Sequence, residues 1–257
     1  MSKKMIFFDI DGTLYDENKQ LPASTRDAIH RLRSKGHDIA ISTGRAPYLF
    51  DDLREELDIH TFISFNGQFV KYNGNAIYQN TIPTTTLQSL QSFASEKGHP
   101  IVFMGSSAMK ANIEFHHDIH ESITTLGVEH PEFDASFAEQ NNIYQALLFA
   151  REDEGGRYAD QMQDLRFVRW HPYSLDVIPP GGSKANGIKN LIAEAGIKLE
   201  DCYAFGDNYN DVEMLQYVPN SVAMGNAPDE VKSYARHITA DVGDDGIARG
   251  LEKVGLL

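Results

Sequence analysis

The feature that most constrains the fold is a short apolar strand that ends in two aspartates. The segment Lys4-Met5-Ile6-Phe7-Phe8 is followed directly by Asp9, Ile10, Asp11 and Gly12. Side chains alternate along a strand, so this pattern predicts that the carboxylates of Asp9 and Asp11 leave the same side, about 6–7 Å apart. Like charges at that distance repel unless a cation lies between them or one takes up a proton. The motif therefore predicts a divalent metal site combined with proton transfer, and an acidic turn at a strand end is the simpler alternative.

Composition and charge limit the kinds of partner that this protein could have. The 257-residue chain carries 23 Lys plus Arg and 37 Asp plus Glu, a net charge of −14. Such a field repels nucleic acids and anionic membranes, so neither is an expected partner. It also repels phosphorylated molecules at long range, so an anion site must be formed locally by a metal ion, lysine and backbone N–H groups. No obligatory protein partner is predicted.

The chain carries no sequence signal for secretion or for membrane insertion. No segment reaches the roughly 18–20 apolar residues of a membrane span. The apolar stretch after Met1-Ser2-Lys3-Lys4 is too short for a signal peptide. The single cysteine, Cys202, lies in an apolar run, so we expect an unreactive buried thiol. These features are typical of a cytoplasmic protein.

Strand and helix patterns alternate in the first and last parts of the chain. Near-continuous apolar strands between helices are typical of a parallel sheet covered on both faces. The dipeptide Asn73-Gly74 predicts a hairpin between 68–72 and 75–79. The expected fold class is α/β, with a doubly wound, mostly parallel Rossmann-like core. Strands are predicted at 5–10, 37–42, 61–65, 202–205 and 221–224, and helices at 22–35, 46–57, 184–195, 211–217 and 229–235.

The middle of the chain has a different pattern of helices and strands, which predicts an inserted domain. Helices at 87–97 and 156–163 are mixed with strands at 101–104, 143–150, 166–170 and 174–178. The cluster Pro179-Pro180-Gly181-Gly182 is a breaker suited to a hinge. We therefore predict a discontinuous catalytic core over 1–82 and 181–257, and an α+β cap over 83–180 that governs substrate access.

Three further polar elements lie where a predicted strand ends or a helix starts. Ser42-Thr43-Gly44-Arg45 offers N–H groups that favour an anion, although it is also a common turn sequence. Lys184 opens a helix, where a cation opposes the helix dipole unless it has an anionic partner, and a solvated surface lysine is the alternative. Asp207, Asn210 and Asp211 follow another strand, where carboxylates suit a hard cation or cap a helix. Ligands of open α/β sheets bind beyond the carboxyl ends of the strands, which favours one shared site.

In this order, the elements resemble those of the haloacid dehalogenase-like superfamily. More narrowly, the chain is similar to the Cof-type sugar-phosphate phosphatases, whose large α/β cap lies between the second and third motifs. The turn Phe65-Asn66-Gly67 also fits that branch. The elements that carry the resemblance are Asp9-Ile10-Asp11-Gly12-Thr13, Ser42-Thr43-Gly44-Arg45, Lys184, and Gly206-Asp207 with Asn210-Asp211.

The resemblance implies a Mg²⁺-dependent phosphatase that hydrolyses phosphate monoesters of small metabolites (sugar, nucleotide or vitamin phosphates). Asp9 would be the nucleophile that forms an aspartyl-phosphate, and Asp11 the general acid and base. Mg²⁺ would be held by Asp9, by Asp11 through its backbone carbonyl, and by Asp207, while Asp211 would orient a water or Lys184. The residues implied to contact the phosphoryl group are Ile10, Thr43, Gly44, Lys184 and Asn210.

Several alternatives stay open at this level. A phosphomutase would use the same aspartyl-phosphate, and a non-catalytic relative would only bind a phosphorylated metabolite. A receiver domain also combines acids, Thr and Lys, but it is about half this length and carries its acceptor aspartate on a later strand. His116, His117 and His120 could ligate a transition metal or be solvated. Arg45 could contact either the substrate or a neighbouring acid.

Overall fold

The computed structural model describes residues 3–257, and the chain divides into two compact units. The first contains the chain up to Arg45, Phe50–Tyr78 and Ser183–Leu257. The second contains Ala46–Leu49 and Gln79–Gly182. The second unit thus interrupts the first in sequence. That it governs substrate access stays a prediction.

Strands make up one sheet in each unit. In chain order the strands are β1 Met5–Phe8, β2 Asp38–Ser42, β3 Phe62–Ser64, β4 Phe69–Tyr72, β5 Asn75–Gln79, β6 Ile101–Met104, β7 Met109–Ala111, β8 Gln145–Leu148, β9 Arg166–His171, β10 Ser174–Ile178, β11 Cys202–Gly206, β12 Asn220–Ala223 and β13 His237–Ile238.

Helices follow most of the strands of the first unit and cover the sheet of the second. The α-helices are α1 Ala23–Ser34, α2 Asp51–Glu56, α3 Thr84–Glu96, α4 His117–Thr124, α5 Phe137–Gln140, α6 Glu152–Gln161, α7 Lys184–Ala195, α8 Val212–Tyr217, α9 Asp229–Lys232 and α10 Gly246–Lys253. Short 3₁₀ segments lie at Pro47–Leu49, Phe65–Gly67, Leu199–Asp201, Tyr209–Asp211 and Val242–Asp244. The predicted helix over 46–57 is therefore a 3₁₀ turn followed by the short α2.

The sheet of the first unit has the order β13-β12-β11-β1-β2-β3-β4-β5. The strands from β13 to β3 are parallel, and β4 pairs antiparallel with β3. The central β1 has β2 on one side and β11 on the other, so the strand order reverses at β1. Such a reversal is where open α/β sheets bind ligands. The predicted α/β fold, doubly wound and mostly parallel, is confirmed.

Burial explains why β1 is central. All four residues of Met5–Phe8 are fully buried, as expected for a strand covered on both faces. Met5 and Phe7 pack with Ile188 and Leu191 of α7 in one core cluster. Cys202 on β11 is also buried, and burial, helped by the charge of Asp201, raises the pKa of its thiol to about 12, so the thiol is unreactive.

The second unit has an antiparallel sheet with the order β7-β6-β8-β10-β9. One face is covered by apolar side chains that include Leu90 of α3 and Tyr158 of α6. The mixture of antiparallel strands and helices agrees with the predicted α+β character. Within residues 3–257, no helix has both the length and the apolar character needed to cross a bilayer.

Candidate active site

Lys184 and two aspartates form a buried ionic cluster at the carboxyl edge of the first unit's sheet. Asp9 follows β1, Lys184 is the first residue of α7, and Asp211 ends the 3₁₀ turn after β11. The Nζ of Lys184 lies 2.6 Å from Oδ1 of Asp9 and 2.6 Å from Oδ1 of Asp211. Burial opposes the charge of this fully buried lysine, but Asp211 and Asp9 outweigh it and raise the pKa of Lys184. The lysine is therefore an ammonium held between two carboxyl groups.

Asp207 is held beside this cluster by neighbours from the first loop of the chain. The hydroxyl of Thr13 donates to Oδ1 of Asp207 at 2.8 Å. Gly12 lies so close that an added Cβ would be 2.2 Å from Oδ2 of Asp207, so only glycine fits there. Asn226 donates to the carbonyl of Gly12 at 2.9 Å and lies 3.4 Å from Oδ2 of Asp207. Each of these contacts restricts where the carboxylate can point.

Three carboxylates converge into a candidate cation site. Asp9, Asp207 and Asp211 each offer an oxygen, and these oxygens lie within 4.8 Å of one another. Burial raises the pKa of Asp9 to about 7, with Lys184 opposing this and Asp211 adding to it. Burial and the charges of Asp9 and Asp211 likewise raise the pKa of Asp207 to about 8. An oxygen-only donor set with one ammonium for three acids fits a hard divalent cation such as Mg²⁺.

The side chain of Asp11 has different partners from that of Asp9. Arg45 binds it in a bidentate manner, with Nε 2.7 Å from Oδ2 and an Nη 2.7 Å from Oδ1. Lys19 Nζ lies 2.6 Å from the same Oδ1. Burial opposes ionisation, but the hydrogen bonds and charges of Arg45 and then Lys19 lower the pKa of Asp11. Asp11 is therefore a carboxylate, and Arg45 contacts this neighbouring acid.

The divergence of Asp9 and Asp11 has a local cause. β1 ends at Phe8, two residues earlier than predicted. The carbonyl of Ile10 then accepts from the N–H groups of Thr13 and Tyr15, so the chain turns and the strand alternation no longer applies. Accordingly, the Asp11 carboxylate is not a member of the acidic cluster formed by Asp9, Asp207 and Asp211.

The residues proposed to hold a phosphoryl group follow β1, β2 and β11 or begin α7. Thr43 is buried just after β2, and its Oγ1 accepts from the N–H of Arg45 at 3.1 Å, which leaves the hydroxyl hydrogen available. Within residues 3–257, the N–H groups of Ile10 and Gly44 donate to no protein acceptor. Asn210 donates from Nδ2 to Oδ1 of Asn66 at 3.2 Å. These donors are of the kind that binds an anion.

Sequence reasoning missed four residues that contact this site. Asn66 and Asn226 reach their partners across long sequence separations, and Lys19 reaches Asp11 from a turn in which the Asp16 side chain accepts from the N–H groups of residues 18 and 20. Thr13, which was quoted only as part of a motif, holds Asp207. The available signals were the first motif, which ends at Thr13, and the turn Phe65–Gly67, because both belong to the elements on which the resemblance rests.

The histidines of the second unit have structural partners. The Nδ1 of His116 accepts from the N–H of Asp118 and caps the start of α4. His117 is largely exposed beside Glu121. Among the described residues, neither they nor His120 belong to a group of three potential metal ligands.

Comparisons with known proteins agree with the geometry. A sequence model of haloacid dehalogenase-like hydrolases matches residues 6–251. YkrA of Bacillus subtilis (strain 168), provisionally named a phosphatase, is 45% identical over 257 residues, 100% of both chains. YitU of the same organism, named a 5-amino-6-(5-phospho-D-ribitylamino)uracil phosphatase, is 29% identical over 97% of this chain and 96% of its own.

A solved structure supports the same assignment. The sugar phosphatase BT4131, of subclass IIB of this superfamily, superposes with a TM-score of 0.89 at 30% identity, covering 99% of this chain and 100% of its own. The family match spans nearly all of the chain, and the acidic cluster lies at the reversal of strand order in the sheet. The chain belongs to the haloacid dehalogenase-like hydrolases.

Proposed function

We propose that the protein is a Mg²⁺-dependent phosphatase that hydrolyses phosphate monoesters of small metabolites through an aspartyl-phosphate on Asp9. The observation that carries the proposal is the fully buried ammonium of Lys184, 2.6 Å from both Asp9 and Asp211, beside the acidic cluster. Sugar, nucleotide and vitamin phosphates are the proposed substrate classes. BT4131 is named a sugar phosphatase, which supports sugar phosphates as substrates. YitU is named a phosphatase of a phosphorylated ribityl compound, which supports substrates of that kind.

In the first half-reaction, a carboxylate oxygen of Asp9 attacks phosphorus and the bond from phosphorus to the ester oxygen breaks. Asp11 would take up a proton when the negatively charged phosphate ester binds beside it, and it gives this proton to the leaving alkoxide. Lys184 holds Asp9 in place and balances its charge. The hydroxyl of Thr43 and the N–H groups of Ile10 and Gly44 donate to the phosphoryl oxygens, as fixed donors do in phosphoryl transfer.

In the second half-reaction, a water attacks phosphorus and the bond from phosphorus to Asp9 breaks, which releases inorganic phosphate. The proton of that water goes to the carboxylate of Asp11. Arg45 and Lys19 keep Asp11 ionised in the structure, which is the form that this step requires. The two halves need opposite protonation states of one group, so the proton that Asp11 gives up in the first is regained in the second.

The metal would be held by Asp9 and Asp207, by the backbone carbonyl of Asp11, and within reach of Asp211. When bound, Mg²⁺ would neutralise the negative charge that the phosphoryl group and the carboxylates bring together. The fit rests on the donor chemistry of the acidic cluster, in which only oxygen ligands are available. Lys184 limits the excess of negative charge that remains.

A phosphate-release assay over a panel of phosphorylated metabolites and p-nitrophenyl phosphate tests this proposal. We expect Mg²⁺-dependent turnover that is lost on chelation and restored by added Mg²⁺. Asp9→Asn keeps the shape and removes the nucleophile, so turnover should fall on the order of 10⁴-fold or more. Borohydride trapping of the acyl phosphate at position 9 should succeed only in the wild type.

A substitution at a surface acid serves as the control, and two outcomes would contradict the proposed scheme. Asp229→Asn, an exposed acid of α9, should leave turnover unchanged. Activity that survives exhaustive chelation would remove the metal from the scheme. An Asp9→Asn variant that keeps more than about a hundredth of the wild-type rate would exclude the covalent route.

A further inference from the structure

The turn Phe65–Gly67 holds two consecutive non-glycine residues in the left-handed region of backbone space. Phe65 has φ 51°, and Asn66 has φ 51° and ψ 41°. Asparagine tolerates this conformation better than most residues, whereas a bulky residue such as phenylalanine rarely adopts it. Strained backbone of this kind persists only where the surroundings fix it, and it concentrates at functional sites. The surroundings of this turn are therefore informative.

The backbone of the turn is bonded to the loop that follows β2. The N–H of Asn66 donates to the carbonyl of Thr43 at 3.1 Å, and the N–H of Phe65 donates to the carbonyl of Arg45 at 3.2 Å. These two bonds flank Gly44, the residue whose N–H is proposed to contact the phosphoryl group. The strained conformation thus fixes the path of the chain through Thr43, Gly44 and Arg45.

The same turn also abuts the residue that precedes Lys184. A Cβ added at Gly67 would lie 2.1 Å from the carbonyl oxygen of Ser183, so only glycine allows this approach. The hydroxyl of Ser183 accepts from the N–H of Asn186 and caps α7, which begins at Lys184. The turn therefore contacts both the loop after β2 and the start of α7.

The side chain of Asn66 makes the third connection. It is 4% exposed, and its Oδ1 accepts from Nδ2 of Asn210 at 3.2 Å. A Cβ added at Gly44 would lie 3.1 Å from both amide heteroatoms of Asn66. One buried amide thus packs on Gly44 and binds Asn210, which come from opposite sides of β1 in the sheet.

We propose that Asn66 is a positioning residue that holds Gly44 and Asn210 as a single cradle for the phosphoryl group transferred to Asp9. This inference rests on the proposed function. Asparagine suits the position because it accepts the left-handed backbone and supplies an uncharged amide. Glycine would keep the backbone and lose the amide. Aspartate would keep the shape and place a negative charge against the phosphoryl group.

The chain contains a matched control for the decisive variant. Asn73 also has a left-handed backbone, with φ 48°, but it is exposed in the hairpin between β4 and β5, where its N–H donates to Thr61. Asn66→Gly and Asn73→Gly therefore make the same chemical change in the same backbone conformation. Only the first removes a contact with the cradle.

The variants should be compared by kcat, KM for p-nitrophenyl phosphate, inhibition by orthovanadate and thermal midpoint. We expect Asn66→Gly to lower kcat/KM about 10–100-fold and to weaken vanadate inhibition by a similar factor, as misplacement by about 1 Å does. Asn73→Gly should stay within about 2-fold of the wild type in both, as expected for a surface site outside the machinery. Asn66→Asp should weaken vanadate inhibition more than Asn66→Gly, because the added charge repels the anion.

Combination with Asn210→Ala separates positioning from a general effect on stability. If Asn66 acts partly through Asn210, the double variant should lose less than the product of the single losses. An active wild type together with an Asn66→Gly variant that matches Asn73→Gly in kcat/KM and in vanadate inhibition overturns this inference alone. If Asn66→Gly does not fold, unchanged vanadate inhibition in Asn66→Asp overturns it. A wild type that hydrolyses no phosphate ester and binds no vanadate overturns the proposed function as well.

Discussion

Each unit of the molecule has a polar cluster around a fully buried side chain, Lys184 in the first and Tyr158 in the second, and these two side chains differ in charge. In the first unit, Lys184 lies between Asp9 and Asp211, all three almost completely buried. In the second, the buried hydroxyl of Tyr158 is 2.7 Å from Nδ1 of His99, whose Nε2 is 3.0 Å from a carboxylate oxygen of Glu154. Burial raises the pKa of Tyr158 to about 12, so its hydroxyl is neutral at ordinary pH.

The difference separates a cluster that stabilises the fold from one that we propose to perform chemistry. A neutral hydroxyl with a partner completes its own hydrogen bonds and needs no external group. The cluster around Lys184 adds Asp207 to its two aspartates, so three acids share one ammonium, and the pKa values of Asp9 and Asp207 are raised to about 7 and about 8. Buried charges are costly unless they are paired, and proteins retain such sites where function requires them. Substitutions in each of the two clusters test this difference.

The largest expected effect comes from removing the central ammonium. Lys184→Met keeps most of the length of the side chain but removes the ammonium shared by Asp9 and Asp211. Breaking a buried ion pair in this way costs about 3–5 kcal/mol of unfolding free energy, and turnover should be undetectable. Lys189→Met, an exposed lysine on the same helix, should change neither turnover nor the urea midpoint by a measurable amount.

The loss of unfolding free energy in Lys184→Met should become larger as the pH rises. The pKa of Asp9 is raised to about 7 even though Lys184 opposes the shift, so removing Lys184 raises it further. A carboxyl group with a raised pKa in the folded state stabilises that state below its unfolded pKa, and this stability is lost as the pH rises through the folded value. The deficit relative to wild type should therefore be smaller at pH 5 than at pH 8 in urea unfolding. A deficit that does not change with pH would contradict the assignment of ionised partners.

The second prediction uses the different partners of Asp11. Asp11→Asn removes the proton donor, so hydrolysis of sugar phosphates should fall about 10²–10⁴-fold. The effect on p-nitrophenyl phosphate should be smaller, because nitrophenolate leaves without protonation. Steady-state rates on both substrates give the comparison. Equal losses on the two would argue against a role as general acid.

Much of this site could be predicted from the sequence because the topology of a parallel sheet brings strand ends together. Asp9, Thr43 and Asp207 each follow an apolar strand, and the structure brings these strand ends to the same edge. Lys184 was singled out because a lysine opposes the dipole at a helix start. Its two carboxylate partners supply the reason for that exception.

What the sequence did not reveal depends on tertiary packing. The helix α10 was missed because Gly246 and Gly250 have low helix propensity. Gly250 is needed there, since an added Cβ would lie 2.6 Å from the ring of Phe205. The partners of Asp11 were missed for a related reason, because β1 ends at Phe8 and the following turn redirects the carboxylate towards Arg45. Side-chain direction outside regular strands has no periodic signal in the sequence.

The third prediction concerns metal binding by the charged cluster. In the metal-free protein, burial raises the pKa of Asp207 to about 8, so its contribution to stability is lost as the pH rises through that value. Asp207→Asn removes this loss and still accepts the hydrogen bond from Thr13. The loss begins near the ordinary pKa of an aspartate, where the unfolded chain ionises, so the metal-free variant should match wild type near pH 4 and melt about 3–5 °C higher at pH 9.

Magnesium should reverse that order. At 100 times its dissociation constant, Mg²⁺ should stabilise wild type by about 2.7 kcal/mol at pH 9, and Asp207→Asn by much less. Asp229→Asn should behave as wild type in both conditions. An undiminished response of Asp207→Asn to Mg²⁺ would place the metal elsewhere.

The smallest effect should come from the cluster around Tyr158 in the second unit. Tyr158→Phe removes a buried hydroxyl whose partner, His99, lies in the same unit and is in turn bonded to Glu154. The loss of one neutral hydrogen bond should lower the unfolding free energy by about 1 kcal/mol, and kcat/KM should stay within about 2-fold of wild type. Tyr234→Phe, a partly exposed tyrosine, is the matched control and should not change stability. If kcat/KM of Tyr158→Phe falls by more than the loss of stability explains, the cluster around Tyr158 also contributes to turnover. A shared charge among several acids would then not be enough to identify the functional cluster.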